Sequence, residues 1–302
     1  MNILKIDKCP LCGKQHFDKV HTCVDHYATG ESFDLYRCHS CGFMFTQNFP
    51  SEDVIGRYYD SPDYISHSDT HKGLMNSVYH RVRQYMLSQK FSIIRKHSSA
   101  HKGKLLDIGC GTGYFPHYMK QQGWHVAGIE KSPQARKFAE EHFGLHIQPP
   151  EALHGMGEKE YDVVTLWHVM EHLQHLNETW DTLHTILKDY GLLVVAVPNY
   201  TSTDAKIYGH MWAAYDVPRH LWHFSPDTMR QFAQKHGFTQ EASLPMPFDA
   251  FYVSMLTEKY QKKKLTFMRG TLWGAYSWLT TLTNKERSSS VIYIFRKQKI
   301  YE

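Results

Sequence analysis

The sequence predicts an α/β fold, a mostly parallel sheet with helices on both faces, preceded by a small cysteine-rich module. Three observations predict it. From Lys104 onward, short apolar runs alternate with longer stretches of helical periodicity, which is typical of a parallel sheet covered by helices. The glycine loop Gly109-x-Gly111-x-Gly113 directly follows the first apolar run. Two Cys-x-x-Cys pairs lie near the start of the chain.

The composition is that of a globular protein. Apolar residues make up 42% and charged residues 21% of the 302 residues, which excludes disordered and collagen-like classes. The 34 Lys and Arg exceed the 30 Asp and Glu too little to indicate a nucleic-acid partner. Because no apolar run reaches transmembrane length and the first residues do not resemble a signal peptide, we expect a cytoplasmic protein.

The two cysteine pairs predict a zinc-ribbon module over residues 1–50. Each pair places two thiols on one tight turn, and a following glycine allows the backbone conformation that the turn requires. The four predicted ligands are Cys9, Cys12, Cys38 and Cys41. Four protein ligands leave no open position, so this zinc should be structural. The alternative, a redox pair, would need only one Cys-x-x-Cys motif.

Residues 51–100 are expected to form a linker and a helical cap. The stretch from Pro50 to His67 is rich in Tyr, Ser, Asp and Pro, which indicates a loop. Helical periodicity follows over roughly 74–97.

The main domain is predicted over residues 101–302. Its strands are expected at 105–108, 126–129, 163–167, 192–197 and 291–295. Its helices are expected near 114–122, 133–143, 172–188 and 226–236, with two more in an insertion at about 250–285.

The glycine loop predicts a site for a flat, nucleotide-like ligand. A dinucleotide fingerprint would need its third glycine at the position of Tyr114. The carboxylate of Asp107, which ends the preceding strand, would also repel a pyrophosphate. S-adenosylmethionine (SAM), which carries an ammonium and a sulfonium and no phosphate, suits this carboxylate better. Glu130 ends the next strand, where its carboxylate can accept hydrogen bonds from both ribose hydroxyls.

In these features the sequence resembles the class I SAM-dependent methyltransferases, over about Tyr58 to Phe238. Residues 105–113 are similar to that family's first motif, 161–168 to its fourth strand and 192–199 to its fifth. The resemblance implies a Rossmann-like SAM methyltransferase fold, SAM as cofactor and methyl transfer as the activity. It implies that the cofactor contacts Asp107, Gly109, Gly111, Gly113, Glu130, Glu151, Trp167 and His168.

The sequence His168-Val-Met-Glu171-His172 also matches the H-x-x-E-H pattern of inverted zinc peptidases. Its position directly after a predicted strand of a SAM-type fold favours a different interpretation. We expect His168 and Glu171 to line the cofactor cleft and His172 to help start a helix.

The segment from Tyr208 to Ser225 is dense in aromatic and histidine residues and follows the fifth strand, where an open sheet accepts its second ligand. Such density also fits plain packing. We expect a substrate pocket formed by Tyr208, Trp212, Tyr215, Arg219 and His223. Arg219-His220-Leu-x-x-Phe224-Ser225 resembles methyltransferases with an amino-terminal zinc module, including sugar C-methyltransferases, and this resemblance implies that His220 is the general base.

The expected acceptor is a small or sugar-like molecule, nucleotide-linked sugars included. The alternatives are an RNA methyltransferase and a SAM-binding or scaffold protein without catalysis. The insertion at 250–285 combines a lysine cluster with an aromatic apolar run. We expect it to form a lid or a homodimer face, with peripheral membrane contact as the alternative.

Overall fold

The computed structural model describes residues 3–59, 74–246 and 248–298, with the side chains of 74–79 left out. The predicted loop from Pro50 to His67 therefore lies outside the described residues from position 60 onward.

The amino-terminal module consists of short antiparallel strands. Their bounds are β1 (Ile3–Leu4), β2 (Phe17–Val24), β3 (Ser32–Cys38), β4 (Met44–Gln47) and β5 (Phe49–Pro50). Strand β3 lies between β2 and β4, and β1 pairs with β5. The two cysteine turns lie on either side of this sheet's first long hairpin, one before β2 and one after β3.

A seven-stranded sheet forms the centre of the molecule. Its strands are β6 (Lys104–Ile108), β7 (His125–Ile129), β8 (Ile147–Gln148), β9 (Tyr161–Trp167), β10 (Leu187–Pro198), β12 (Phe238–Pro245) and β13 (Ser290–Lys297). The spatial order is β12-β13-β10-β9-β6-β7-β8. Strands β6 to β10 are mutually parallel, whereas β13 is antiparallel to both of its neighbours. This is the predicted mostly parallel sheet, and the expected fold class is confirmed.

The helices follow the predicted alternation. They are α1 (Leu74–His97), α2 (Tyr114–Gln121), α3 (Pro133–Phe143), α4 (Leu176–Ile186), α5 (Thr203–Tyr208), α6 (Pro226–Lys235), α7 (Asp249–Tyr260) and α8 (Thr266–Thr280). Neighbouring residues of one strand face opposite sides: Leu105 packs in one hydrophobic core with α1 and α2, and Leu106 in another with α4 and α6. Both sheet faces are therefore covered.

One predicted helix is wrong in extent. The expected helix at 172–188 begins only at Leu176 and ends at Ile186, and Leu187 already pairs with Tyr161 in the sheet. Before it, residues 170–172 form a single 3-10 turn in which Met170 and Glu171 are buried. This turn places both side chains in the interior of the protein, and the helix begins only after it.

The module and the main domain share a core. A two-residue strand β11 (Trp222–His223) leaves the main domain and pairs with β4 as the fourth strand of the module's sheet. Phe43 of the module stacks on Trp222 and packs edge-on against Phe232 of α6. Residues from the predicted substrate segment thus lie between the two parts.

The insertion contains α7 and α8, packed against each other between β12 and β13. No helix within the described ranges is long and apolar enough to cross a membrane.

Candidate active site

The glycine loop turns sharply between β6 and α2. Gly109, Gly111 and Gly113 have φ of 70°, 54° and 84°, a left-handed region that favours glycine. A Cβ on Gly109 would collide with the side chain of Val169, and one on Gly113 would lie 2.9 Å from Cβ of Ala139. A Cβ on Gly111 would meet no described atom within 4 Å. Two of the glycines therefore allow close packing, and the third borders open space.

A cavity of about 330 Å³ opens over this loop, a size in the range of small-molecule sites. The loop and α2 supply one wall, Phe138 of α3 and Trp167 of β9 extend it, and helix α1 covers it. The residues that α1 contributes are Arg83, Met86, Leu87 and Lys90. Of the predicted cofactor residues, Asp107, Gly109, Gly111 and Trp167 line this cavity.

Asp107 lies at the buried end of the cavity. Its side chain accepts a hydrogen bond from the Thr165 hydroxyl at 2.5 Å. Burial raises the pKa of this carboxyl to about 7, although the ammonium of Lys90 opposes the shift. The site thus holds a carboxylate that a cationic ligand would keep ionised.

Lys90 is a site residue that the sequence analysis missed. Its Nζ lies 4.3 Å from the centroid of the Trp167 ring and 5.3 Å from that of Phe115. Burial lowers the pKa of this amine to about 8, against the attraction of Asp107 and Asp249. A signal was present, since positions 83, 86, 87 and 90 have the spacing of one helix face and would lie together over a cleft.

Glu130 is held rigidly beside the glycine loop. Its Oε2 accepts a hydrogen bond from the Gly111 N–H at 2.8 Å, and its Oε1 accepts one from the Ser132 N–H at 2.8 Å. Glu151, predicted near the adenine, lies exposed in a 3-10 turn at 150–155 and is not among the residues that line the cavity. Its contact with the cofactor stays a prediction.

His168 connects the end of β9 to two carboxylates. Its Nε2 lies 3.2 Å from Asp249 and its Nδ1 lies 3.4 Å from Glu171. Burial lowers the pKa of this imidazole, but the carboxylates of Asp249 and Glu171 outweigh it and raise the pKa to about 10. The two carboxylates therefore favour the protonated form of His168. Its expected contact with the cofactor stays a prediction.

Glu171, His172 and His220 form a compact cluster, with one ligand atom from each within 4.8 Å of the others. Glu171 is fully buried, and apart from the ion-pair contact with His168 its oxygens accept no hydrogen bond from the part of the chain that the structure describes. Val169, two residues earlier, covers Gly109. The packing of Val169 on Gly109 thus connects the cluster to the glycine loop. Two imidazoles and a buried carboxylate can accept a proton or ligate a divalent metal ion.

Each histidine of this cluster has its Nδ1 against a backbone carbonyl. His220 Nδ1 lies 2.9 Å from the Ala214 carbonyl, and His172 Nδ1 lies 3.0 Å from the Arg219 carbonyl. Assigning the Nδ1 proton to these bonds leaves each Nε2 with a free lone pair. Burial and the neighbouring His220 lower the pKa of His172 to about 4. Asp216 lies 3.8 Å from His220 Nε2.

The five predicted substrate residues are all buried. The Trp212 indole donates to Asp204 at 2.8 Å, the Tyr208 hydroxyl donates to Glu258 at 3.3 Å, and Tyr215 packs edge-on against Trp212. The polar groups of Trp212 and Tyr208 are thus engaged inside the protein. A substrate role for them stays a prediction.

Arg219 and His223, the other two, bridge to the module. Arg219 donates to Asp25 at 3.0 Å, to Asp216 at 2.6 Å and to the Tyr58 carbonyl at 2.6 Å. His223 Nε2 lies 3.1 Å from the Thr46 hydroxyl, which donates to the His220 carbonyl at 2.7 Å. The module therefore fixes the backbone that carries His220.

The four predicted zinc ligands come together. The sulfurs of Cys9 and Cys41 are 3.5 Å apart, as are those of Cys12 and Cys38, and all four lie within 4.8 Å of one another. Tetrahedral zinc with Zn–S bonds of about 2.3 Å would place its sulfurs about 3.8 Å apart. The donor set and its spacing fit that ion. Gly13 and Gly42 have φ of 73° and 76°, as their predicted role in the turns requires.

Comparison with known proteins identifies the family to which the sequence is similar. The family described as "Methyltransferase domain" matches residues 79–243, more than half of the chain. The ubiquinone biosynthesis O-methyltransferase of Maricaulis maris is 29% identical over 159 residues, covering 48% of this chain and 63% of that protein. The Cereibacter sphaeroides enzyme of the same name is 31% identical over 147 residues, covering 44% and 59%. The chain thus spans about 60% of the length of these curated relatives.

A solved structure supports the fold. The phosphoethanolamine N-methyltransferase 2 of Haemonchus contortus, in complex with SAM, superposes with a TM-score of 0.52 at 13% identity and covers 85% of this chain and 63% of its own. With the family match and the sheet order, the chain belongs to the family described as "Methyltransferase domain".

Proposed function

We propose that this chain transfers the methyl group of SAM to a hydroxyl oxygen of a small-molecule acceptor, with His220 as general base. The observation that carries the proposal is the cluster of Glu171, His172 and His220, in which Glu171 and His172 follow Val169, the residue that packs against Gly109. Removal of a hydroxyl proton requires a base, and an imidazole nitrogen can serve as one.

The cofactor would lie along the cavity under α1. The Asp107 carboxylate would hold its ammonium, the Lys90 amine its carboxylate and the Glu130 carboxylate its ribose hydroxyls. The bound SAM supplies an electrophilic methyl on a sulfonium sulfur. The protein's contribution is to align donor and acceptor and to exclude water.

The proton would move from the acceptor hydroxyl to Nε2 of His220. Deprotonation would make the acceptor oxygen the nucleophile for the methyl group that bound SAM would supply, with S-adenosylhomocysteine as the other product. Asp216, 3.8 Å from that nitrogen, and the buried Glu171 would stabilise the resulting imidazolium. The Nδ1 bond to the Ala214 carbonyl keeps the ring in the required orientation.

Oxygen is favoured as the methylated atom by the names of the relatives, which are O-methyltransferases. A phenolic or sugar hydroxyl fits a histidine base. RNA as acceptor is less favoured, because 34 basic residues against 30 acidic ones leave little excess positive charge.

We also propose that Cys9, Cys12, Cys38 and Cys41 hold a structural zinc ion. Their convergence supports it. Through the Thr46 bond to His220, this ion would stabilise the loop that carries the base.

The test is methyl transfer to a panel of phenols, sugars and nucleotide sugars, followed as a mass gain of about 14 Da. His220→Asn should lower turnover by about 10²–10⁴-fold while SAM affinity is kept. His210→Asn, an exposed histidine of the same segment, is the matched control. Full turnover in His220→Asn, or turnover abolished by a chelator and restored by added Mg²⁺, would contradict the general-base role.

A further inference from the structure

The outward side of helix α8 and its flanking turns is almost wholly apolar. We call it the α8 face, and its main members are Leu265, Phe267, Leu272, Trp273, Tyr276 and Leu282. Phe267 is 75% exposed, Leu282 70% and Leu272 64%, whereas side chains of this kind are usually buried. A contiguous exposed apolar surface of this length indicates a binding surface.

The face cannot be buried by turning the helix. Gly270, Gly274 and Ser277 lie on the inward side, and a Cβ on either glycine would come within 2.6 Å of a Cα atom of α7. Only very small residues fit here, because the backbones of α7 and α8 lie so close together. The large apolar side chains are therefore directed away from the protein by the packing itself.

The charges that flank the face are mostly positive, and the carboxylate of Glu286, between Lys285 and Arg287, pairs with Arg230. Between positions 262 and 285 there is no Asp or Glu. Lys262, Lys263 and Lys264 are exposed at one end of α8, and Lys285 and Arg287 are exposed at the other. Arg269 is the only charged residue within the helix, and it pairs with the buried Glu258.

We propose that the α8 face binds the surface of a membrane that contains anionic lipids. An apolar stripe flanked by lysines matches a bilayer, whose acyl chains would take the leucines and Phe267 while anionic headgroups meet the lysines at both ends. Trp273 and Tyr276 suit the boundary between these layers. The helix of 15 residues is about 22 Å long, which is too short to span, so it would lie in the interface plane.

A second copy of the chain fits this face less well. A two-fold interface brings the same patch of both copies together. With the helices antiparallel, Lys262–Lys264 would meet Lys285 and Arg287, and with the helices parallel each cluster would meet its own copy. The carboxylate of Glu286 already pairs with Arg230, and residues 262–285 offer no other, so like charges would repel in either arrangement.

The test is co-sedimentation of the full chain with vesicles of phosphatidylcholine and phosphatidylglycerol, compared with pure phosphatidylcholine. We expect binding to the anionic vesicles that weakens at high salt. Phe267→Glu with Leu272→Glu should weaken it at least about tenfold. Changing Lys262, Lys263 and Lys264 together to Gln should weaken it by about two orders of magnitude.

Tyr190→Glu, at an aromatic residue that is 54% exposed and far from α8 in the sequence, is the control and should bind like the unchanged chain. SAM binding, measured on the same samples, should be unaffected in every variant, which separates this proposal from the methyltransferase proposal. Absence of co-sedimentation, or variants that bind as the unchanged chain does, would overturn it. A dimer that Leu272→Glu dissociates, without lipid binding, would assign the face to self-association instead.

Discussion

Lys90 of helix α1 and Asp107 of strand β6 bring opposite charges into one cavity, and each opposes the shift that burial imposes on the other's pKa. The two groups come from separate elements, the helical cap and the first strand of the sheet. A zwitterionic amino-acid moiety, such as that of SAM, has the complementary pair of charges.

This pair predicts a bell-shaped pH dependence of cofactor affinity. Below about pH 7 Asp107 gains a proton and loses its attraction for the ligand's ammonium, and above about pH 8 Lys90 loses a proton and its attraction for the carboxylate. Calorimetric titration with S-adenosylhomocysteine should show the highest affinity between these values. Asp107→Asn should remove the acid limb and Lys90→Met the alkaline limb. Affinity that does not vary with pH would contradict both assignments.

Gly109→Ala should destabilise the protein strongly. The new Cβ meets the side chain of Val169, and the backbone there has a φ of 70°, so we expect a loss of about 2–4 kcal/mol in the free energy of unfolding. Adding Val169→Ala should recover part of this loss, because it removes the colliding atoms. Gly111→Ala, with open space around it, is the comparison and should cost about 1 kcal/mol. Equal losses in the two single variants, measured by denaturant unfolding, would show that the contact is unimportant.

Arg219→Met should be costly for folding. The change leaves Asp25 buried without its cation, and we expect a loss of about 3–5 kcal/mol. Arg230→Met breaks the exposed pair with Glu286 and should cost about 0.5 kcal/mol. If Arg219→Met were as stable as Arg230→Met and lost only acceptor binding, the substrate role predicted from the sequence would be favoured over the structural one.

Cys38→Ser should lower the zinc content from about one ion per chain and destabilise the module. Cys23→Ser is the matched control, since Cys23 is buried outside the cluster and should leave the metal content unchanged. Metal content by mass spectrometry and thermal unfolding measure both effects. Equal zinc content in the two variants would contradict the ligand set.

The sequence was informative where local patterns decide the structure. The periodicity of α1, the apolar runs of β6 and β7 and the glycine loop all depend on neighbours in the chain, and each lies where it was predicted. Asp107 and Glu130 were predicted as cofactor residues because they lie at the ends of β6 and β7.

Other parts depend on contacts distant in sequence. The aromatic segment around Trp222 indicated a pocket, but it pairs with the module through β11, and no local pattern distinguishes packing from binding. Lys90 was missed because its role depends on the docking of α1 over the cleft. The inward turn at Met170 and Glu171 shortened α4 for a similar reason, since the buried neighbours of these residues come from other elements.

The most direct test of the central claim is calorimetric titration of the chain with SAM and, separately, with NAD⁺. The glycine spacing, the charge on Asp107 and the register of Glu130 predict one SAM bound per chain, weakened at least about tenfold by Glu130→Ala, and no binding of NAD⁺. Binding of NAD⁺ without binding of SAM would contradict the account.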